Sequence, residues 1–237
     1  MHTRTIYLFL YALLTTACIS TRPGIVRFTQ PAPETYSAKA LQELLQSNRN
    51  PSVVLRVPEA AVNPAEQDLP PLNSAYNAIE KQLIKSGFAV RDRGLFNALL
   101  ASSENANYQG IAQRTDTDII IELVGIDFDL RYRTNTFSGQ QNGKEYKLAP
   151  GASIELPGAS VEFRIVVVAQ NEIAGLYRFD YAPCQQGCKY RVSNTGALYR
   201  DDSSTPIEVQ PYETISVDAL AEFMTTSTQE LIRELRG

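Results

Sequence analysis

The chain has 237 residues, and 22 Lys and Arg against 26 Asp and Glu give it a net charge of −4; its isoelectric point is near 5.2. With no block of basic residues in the chain, nothing favours nucleic acid as a partner. The single histidine is His2, in a segment read below as removed, so a Ser-His-Asp triad, a Cys-His pair and a His-ligated zinc site all lack their imidazole. There is no Gly-rich phosphate loop of either common form. These absences argue against an enzyme, a metal site and a cofactor.

The first residues place Arg4 before an apolar run from Ile6 to Leu14, then the small residues Thr15, Thr16 and Ala17, then Cys18. That is the pattern of a signal peptide over residues 1–17. The apolar run falls well short of the roughly 20 residues that span a hydrocarbon core. Leu14-Thr15-Thr16-Ala17-Cys18 resembles a bacterial lipobox, whose cysteine receives diacylglycerol and becomes the new amino terminus. It departs from the motif in placing Thr15 where Leu is usual. Ordinary cleavage near Ala17, with Cys18 unmodified, is the competing reading. Ile19 and Ser20 supply no acidic retention signal, which by the same resemblance favours the outer membrane, with the domain facing the periplasm. Residues 18–35, containing Pro23, Pro31 and Pro33, are expected to form a lipidated flexible tether. Residues 36–237 are expected to form one domain.

Along that domain, Leu41, Leu44 and Leu45 recur at helical spacing until Asn50-Pro51. Ser52 to Val57 is short, β-branched and bounded by proline, as in a strand covered on both faces. Pro58 to Pro71 reads as a long loop, the place for a functional insertion. Asn73 offers a cap for a helix carrying Ala75, Ile79, Leu83 and Ile84 and ending at Gly87. A brief strand, Phe88 to Val90, precedes a helix through Leu95, Phe96, Leu99 and Leu100, and a short helix is expected around Tyr108 to Arg114. Asp118 to Val124 is buried sheet, after which Ile126, Phe128, Leu130 and Tyr132 alternate on one face. Asn135 to Lys147 reads as a polar loop. Ala159 to Ala169 is a strong strand that turns at Asn171-Glu172 and Gly175 into Leu176 to Tyr181 as an antiparallel hairpin. Ser216 to Leu235 closes the chain as an amphipathic helix. The fold class is α/β, with a mixed sheet flanked by helices and extended β-hairpin insertions.

Cys184 and Cys188 are four residues apart in an exported chain, and pairing them balances the cysteine count once Cys18 is taken by lipid. They read as a structural disulfide. A metal clip would need two further soft ligands, and a redox pair would need a CxxC spacing and a helix start. Asp116 with Asp118, and Asp127 with Asp129, are close enough in sequence to divide acid and base roles. Asp127 and Asp129 are followed at alternate positions by Arg131 and Arg133, which favours a solvated charged row.

Residues 77–97, from Asn77-Ala78-Ile79-Glu80 through Gly87-Phe88-Ala89-Val90-Arg91-Asp92-Arg93 to Phe96-Asn97, resemble a helix, strand and Arg-containing turn of the CsgG-like family. The namesake of that family is the outer-membrane lipoprotein of curli secretion. Asp116 to Gly125 resembles its next strand, and Val166 to Gly175 its hairpin turn. The likeness spans roughly Ser52 to Leu235. It implies a compact α/β domain and, in the secretion channel, two inserted hairpins that become membrane strands in a many-subunit barrel. The corresponding stretches are Gly125 to Ala159 and Leu176 to about Gln210, with Val124, Ile126, Phe128, Leu130 and Tyr132 as the membrane-facing set. Pro150, Gly151 and Pro157 interrupt the first return arm, and Cys184 to Cys188 breaks the second. Three functions compete: an outer-membrane-anchored, non-enzymatic subunit for secretion or assembly that forms a homo-oligomeric ring; a monomeric periplasmic adaptor regulating a cell-wall enzyme or envelope complex; and, third, a carboxylate-based hydrolase using Asp127 or Asp129.

Overall fold

A computed structural model describes residues 20–56, 70–101, 110, 114–200, 206–207 and 215–236. The chain divides into two compact units. The larger comprises Phe28–Tyr132, Leu156–Gln185 and Gln210–Gly237, and the smaller Met1–Arg27, Arg133–Glu155 and Gln186–Val209.

The larger unit is a mixed α/β structure, as the alternation of buried strands and amphipathic helices predicts. Its strands are β2 (Glu34–Ser37), β3 (Ser52–Arg56), β4 (Ala89–Val90), β5 (Ile119–Thr134), β8 (Ile154–Val167) and β9 (Glu172–Tyr181). They line up in the order β2-β9-β8-β5-β3-β4. β3 runs parallel to β4 and β5, while β9 runs antiparallel to β8 and β2. Helices α1 (Lys39–Ser47), α2 (Pro70–Lys85) and α4 (Val217–Arg236) bury one stripe each: Leu41 on α1, Ala75, Ile79 and Leu83 on α2, and Leu220, Phe223, Met224, Leu231 and Leu235 on α4. These meet Val53, Leu55, Ile121, Val161, Phe163 and Ile165 of the sheet. Each such side chain contributes roughly 1.5–3 kcal/mol by leaving water. On the opposite face α3 (Arg93–Ala101) sets Phe96 against Val54, Ile120, Val166 and Val168. β3 therefore reads as a continuous apolar run because it is covered on both sides.

Two boundaries differ from expectation. α2 begins at Pro70, ahead of Asn73; a proline is tolerated in the first turn because an amide there has no intrahelical acceptor. The helix stops where the spacing predicts, at Gly87, whose φ of 85° is the left-handed conformation that a helix end favours. Of the expected loop Pro58 to Pro71, residues 58–69 lie outside the described residues while Pro70 and Pro71 belong to α2, and most of the expected helix around Tyr108 to Arg114 also lies outside them.

β5 changes face partway along. Ile119, Ile121 and Leu123 belong to the main core, and the half-buried Ile126 and Phe128 pack against it. Odd-numbered positions face the core before Val124-Gly125 and even-numbered ones after it. The alternation of core-facing positions thus shifts by one residue between Leu123 and Ile126.

The smaller unit has a second six-stranded sheet, in the order β12-β11-β10-β1-β6-β7. Its strands are β1 (Thr21–Val26), β6 (Thr136–Gly139), β7 (Glu145–Lys147), β10 (Cys188–Ser193), β11 (Leu198–Tyr199) and β12 (Pro206–Ile207). The expected tether over residues 18–35 is corrected here: Thr21–Val26 is an interior strand, and Glu34–Ser37 is β2. Pro23 does not interrupt this strand. β6 pairs with β1 only at Gly24 and Ile25, so Pro23 sits just past the end of that ladder, where its missing amide donor costs little. Gly24 is required for another reason, since a Cβ there would lie 2.4 Å from the Phe137 ring. The expected polar loop over Asn135 to Lys147 is likewise corrected, to the hairpin of β6 and β7, in which Phe137 pairs with Tyr146. Val26, Phe137, Ile154, Val192 and Leu198 are buried in this unit.

Candidate functional site

Cys18, the expected lipid attachment point, lies outside the described residues. Cys184 and Cys188 are disulfide-bonded. The bond closes the turn between β9 and β10. A loop this short removes little chain entropy, so Cys188→Ser is expected to lower unfolding free energy by about 2 kcal/mol. Denaturant melts with and without reductant check it, and the variant should be insensitive to reductant.

The expected membrane-facing set does not share one exposed face. Val124 lines a groove with Glu162 and Leu176, whereas Ile126 and Phe128 pack on the main core on the other side of the sheet. Tyr132 lies edge-on to Phe28, with ring centroids 6.2 Å apart. All five residues are half-buried. The alternation shifts by one at Val124-Gly125, so Val124 and the pair Ile126 and Phe128 meet different sides of the sheet.

The carboxylates weighed for catalysis have structural surroundings where they are described. Asp118 Oδ2 accepts from the Ser52 amide at 2.8 Å, the Ser52 hydroxyl at 3.0 Å and Asn48 Nδ2 at 3.1 Å, fastening the start of β3. Asp116 pairs with Arg91 at 2.5 Å and is almost fully exposed. Asp127 is an exposed residue of β5.

What the residue spacing did not single out is the face of the larger sheet beyond the reach of α3. There β3, β5 and β8 bring Arg56, Glu122 and Arg164 together. The Glu122 side chain is 1% exposed, Arg164 Nε lies 2.5 Å from Glu122 Oε2, and Arg56 bonds the other carboxylate oxygen. A signal was present: a glutamate inside the apolar run Ile119 to Val124 must find charged partners once that run is buried. In the cross-strand register Glu34 faces Arg178, which faces Glu162, and Tyr36 faces Leu176, which faces Arg164. Arg178 lies 2.9 Å from Glu162 and 3.6 Å from Asp180. Burial works against the Arg178 charge, but Asp180, Glu162 and Glu34 outweigh it and hold its pKa above the ordinary value. The result is a groove of about 370 Å³ with a paired-charge floor and an apolar flank, on which Tyr36 is 59% and Leu176 49% exposed.

These features define a mixed α/β protein whose main sheet has a helix-packed face and a second, partly open face bearing a row of paired charges. No family model and no curated protein matches the sequence. Among solved structures, a point-variant PelC dodecamer from Paraburkholderia phytofirmans is similar with a TM-score of 0.39 and 11% identity, over 87% of this chain and 100% of that one. A second PelC dodecamer from the same organism gives 0.38 and 10%, over 84% and 96%. A PDZ domain protein from Parabacteroides distasonis gives 0.29 and 10%, over 68% of this chain and 32% of that one.

Proposed function

We propose that the chain is a lipid-anchored, non-enzymatic protein of the outer membrane that serves secretion or assembly by binding protein partners. The observation that carries this reading is the groove on the open face of the larger sheet. Its charged side chains are engaged with one another across the strands, while Tyr36 and Leu176 remain uncovered. Such a surface suits recognition, where exposed aromatic and aliphatic side chains supply contact area and paired charges set register. The leader and Cys18 support the anchor, and the resemblance over residues 77–97 to the CsgG-like family supports the class. Among the described residues no helix is long and apolar enough to cross a membrane.

Expression of the full chain with its leader tests the reading. Intact mass should show an amino-terminal Cys18 carrying diacylglycerol, and light scattering after size exclusion in detergent should give a multi-subunit oligomer. An unmodified Cys18 would overturn the anchor, and a monomer would leave only the tethered adaptor. Within the groove, Leu176→Asp should abolish the oligomer while leaving the thermal melt within about 2 °C, because surface substitutions away from packed contacts change stability by no more than roughly 0.5 kcal/mol.

A further inference from the structure

Charge is divided unevenly between the two units. Downstream of Cys18 the segments of the smaller unit carry eight Lys and Arg against five Asp and Glu, a net of +3, whereas those of the larger carry thirteen against twenty-one, a net of −8. Such segregation in an acidic chain points to an anionic partner for the basic part. Within the smaller unit two cations converge on one ring. The Arg22 guanidinium lies 5.0 Å and the Lys144 ammonium 5.9 Å from the centre of Tyr146. The ring is stacked on Phe137 at 5.5 Å, which fixes its orientation. The Tyr146 hydroxyl accepts from Asn142 Nδ2 at 3.4 Å, and the side-chain oxygen Asn142 Oδ1 accepts from the Lys144 backbone amide at 3.0 Å. Neither Arg22 nor Lys144 makes an ion pair with a carboxylate among the described residues. Two like charges held at one aromatic ring without a counter-ion form a place for an anion.

We propose that Arg22, Lys144 and Tyr146 are a headgroup-contact surface for an anionic lipid bilayer. The inference deepens the anchored reading and rests on it in one respect, the short distance to the lipid. Cys18 precedes Arg22 by four residues, a reach of at most about 14 Å. With Cys18 in the membrane, Arg22 is tethered within about two of the roughly 8 Å lengths over which the field of an anionic surface decays at physiological salt, close enough for direct headgroup contact. Tyrosine with an apolar face and a polar tip suits the same depth. The patch adds a charge-dependent contact, carried on a sheet, to an anchor that itself acts through apolar chains. A bilayer is preferred to a soluble anion because the anchor brings the bilayer to this residue.

The mature chain with Cys18→Ser, which lacks any acyl group, is mixed with vesicles of phosphatidylcholine alone or with equimolar phosphatidylglycerol and sedimented. Binding to the anionic vesicles should exceed binding to the neutral ones at least ten-fold, and should fall as salt is raised. Arg22→Gln with Lys144→Gln should lower it about 25-fold, roughly five-fold for each charge removed. The conservative pair Arg22→Lys with Lys144→Arg should retain binding, and Lys39→Gln on α1 should change nothing. Equal partition to both vesicles, or unaltered binding by the double Gln variant, would overturn the proposal. The mass of Cys18 in the full chain separates the two readings: acylated Cys18 with no anionic preference removes the surface alone, and unmodified Cys18 with anionic preference removes the anchor alone.

Discussion

Glu122→Ala is expected to destabilise the protein by about 3–5 kcal/mol, the cost of leaving buried charge without its partner. The carboxylate is essentially inaccessible, while the Arg56 and Arg164 side chains are 24% and 32% exposed. Removing it takes away the carboxylate that lies between two like charges at a sheet surface that water reaches only partly. Urea denaturation followed by circular dichroism reads the loss directly. The same physics makes a second, opposite expectation. Replacing all three residues together, Arg56→Met, Glu122→Leu and Arg164→Met, should bring stability back to within about 1 kcal/mol of the parent or above it, because an apolar trio avoids the desolvation of three ions. If the single variant were as stable as the parent, the carboxylate would not be holding the guanidiniums in place. The triple variant also asks whether the cluster serves the open face, since it leaves Tyr36, Leu176 and Arg178 untouched.

Asp118→Ala should cost about 2–3 kcal/mol. One carboxylate oxygen accepts three hydrogen bonds, from the amide and hydroxyl of Ser52 and from Asn48. Ser52 is buried, so its amide would be left without an acceptor at the entry to a central strand. Asp118→Asn should recover part of the loss, because one amide oxygen replaces the accepting atom without the charge. Thermal melts of the two variants, read side by side, give the order parent, Asn, Ala. A flat series would return Asp118 to the list of groups available for chemistry.

Much of the larger unit was legible because its signals are local. The i, i+3, i+4 spacing of Leu220, Phe223 and Met224 in α4 and the β-branched run of β3 each state a burial pattern that no distant segment alters. Gly87 marked a helix end for the same reason. The smaller unit was hidden because its strands depend on distant partners. Thr21 to Val26 looks like linker when read alone, and becomes a strand only through Cys188 to Ser193 and the short pairing with β6. The β6–β7 hairpin is polar at most positions, so alternation could not announce it; its apolar content is concentrated in Phe137 and Tyr146. The open-face groove was partly written in the sequence. Glu122 and Arg164 stand inside apolar runs, but only the cross-strand register shows that they meet.

The position of β1 also sets an order of events in folding. Synthesis delivers the amino terminus first, yet Thr21 must wait for Ser193 and Val26 for Cys188 before β1 has its longest ladder. Pairings separated by most of the chain are slow because loop closure precedes any reward. Until β10 has emerged, the first strand offers unsatisfied backbone donors and acceptors to whatever is nearby, including other copies arriving at the same place. The Cys184–Cys188 bond belongs to the same late stage, because its second sulfur arrives with the first residue of β10.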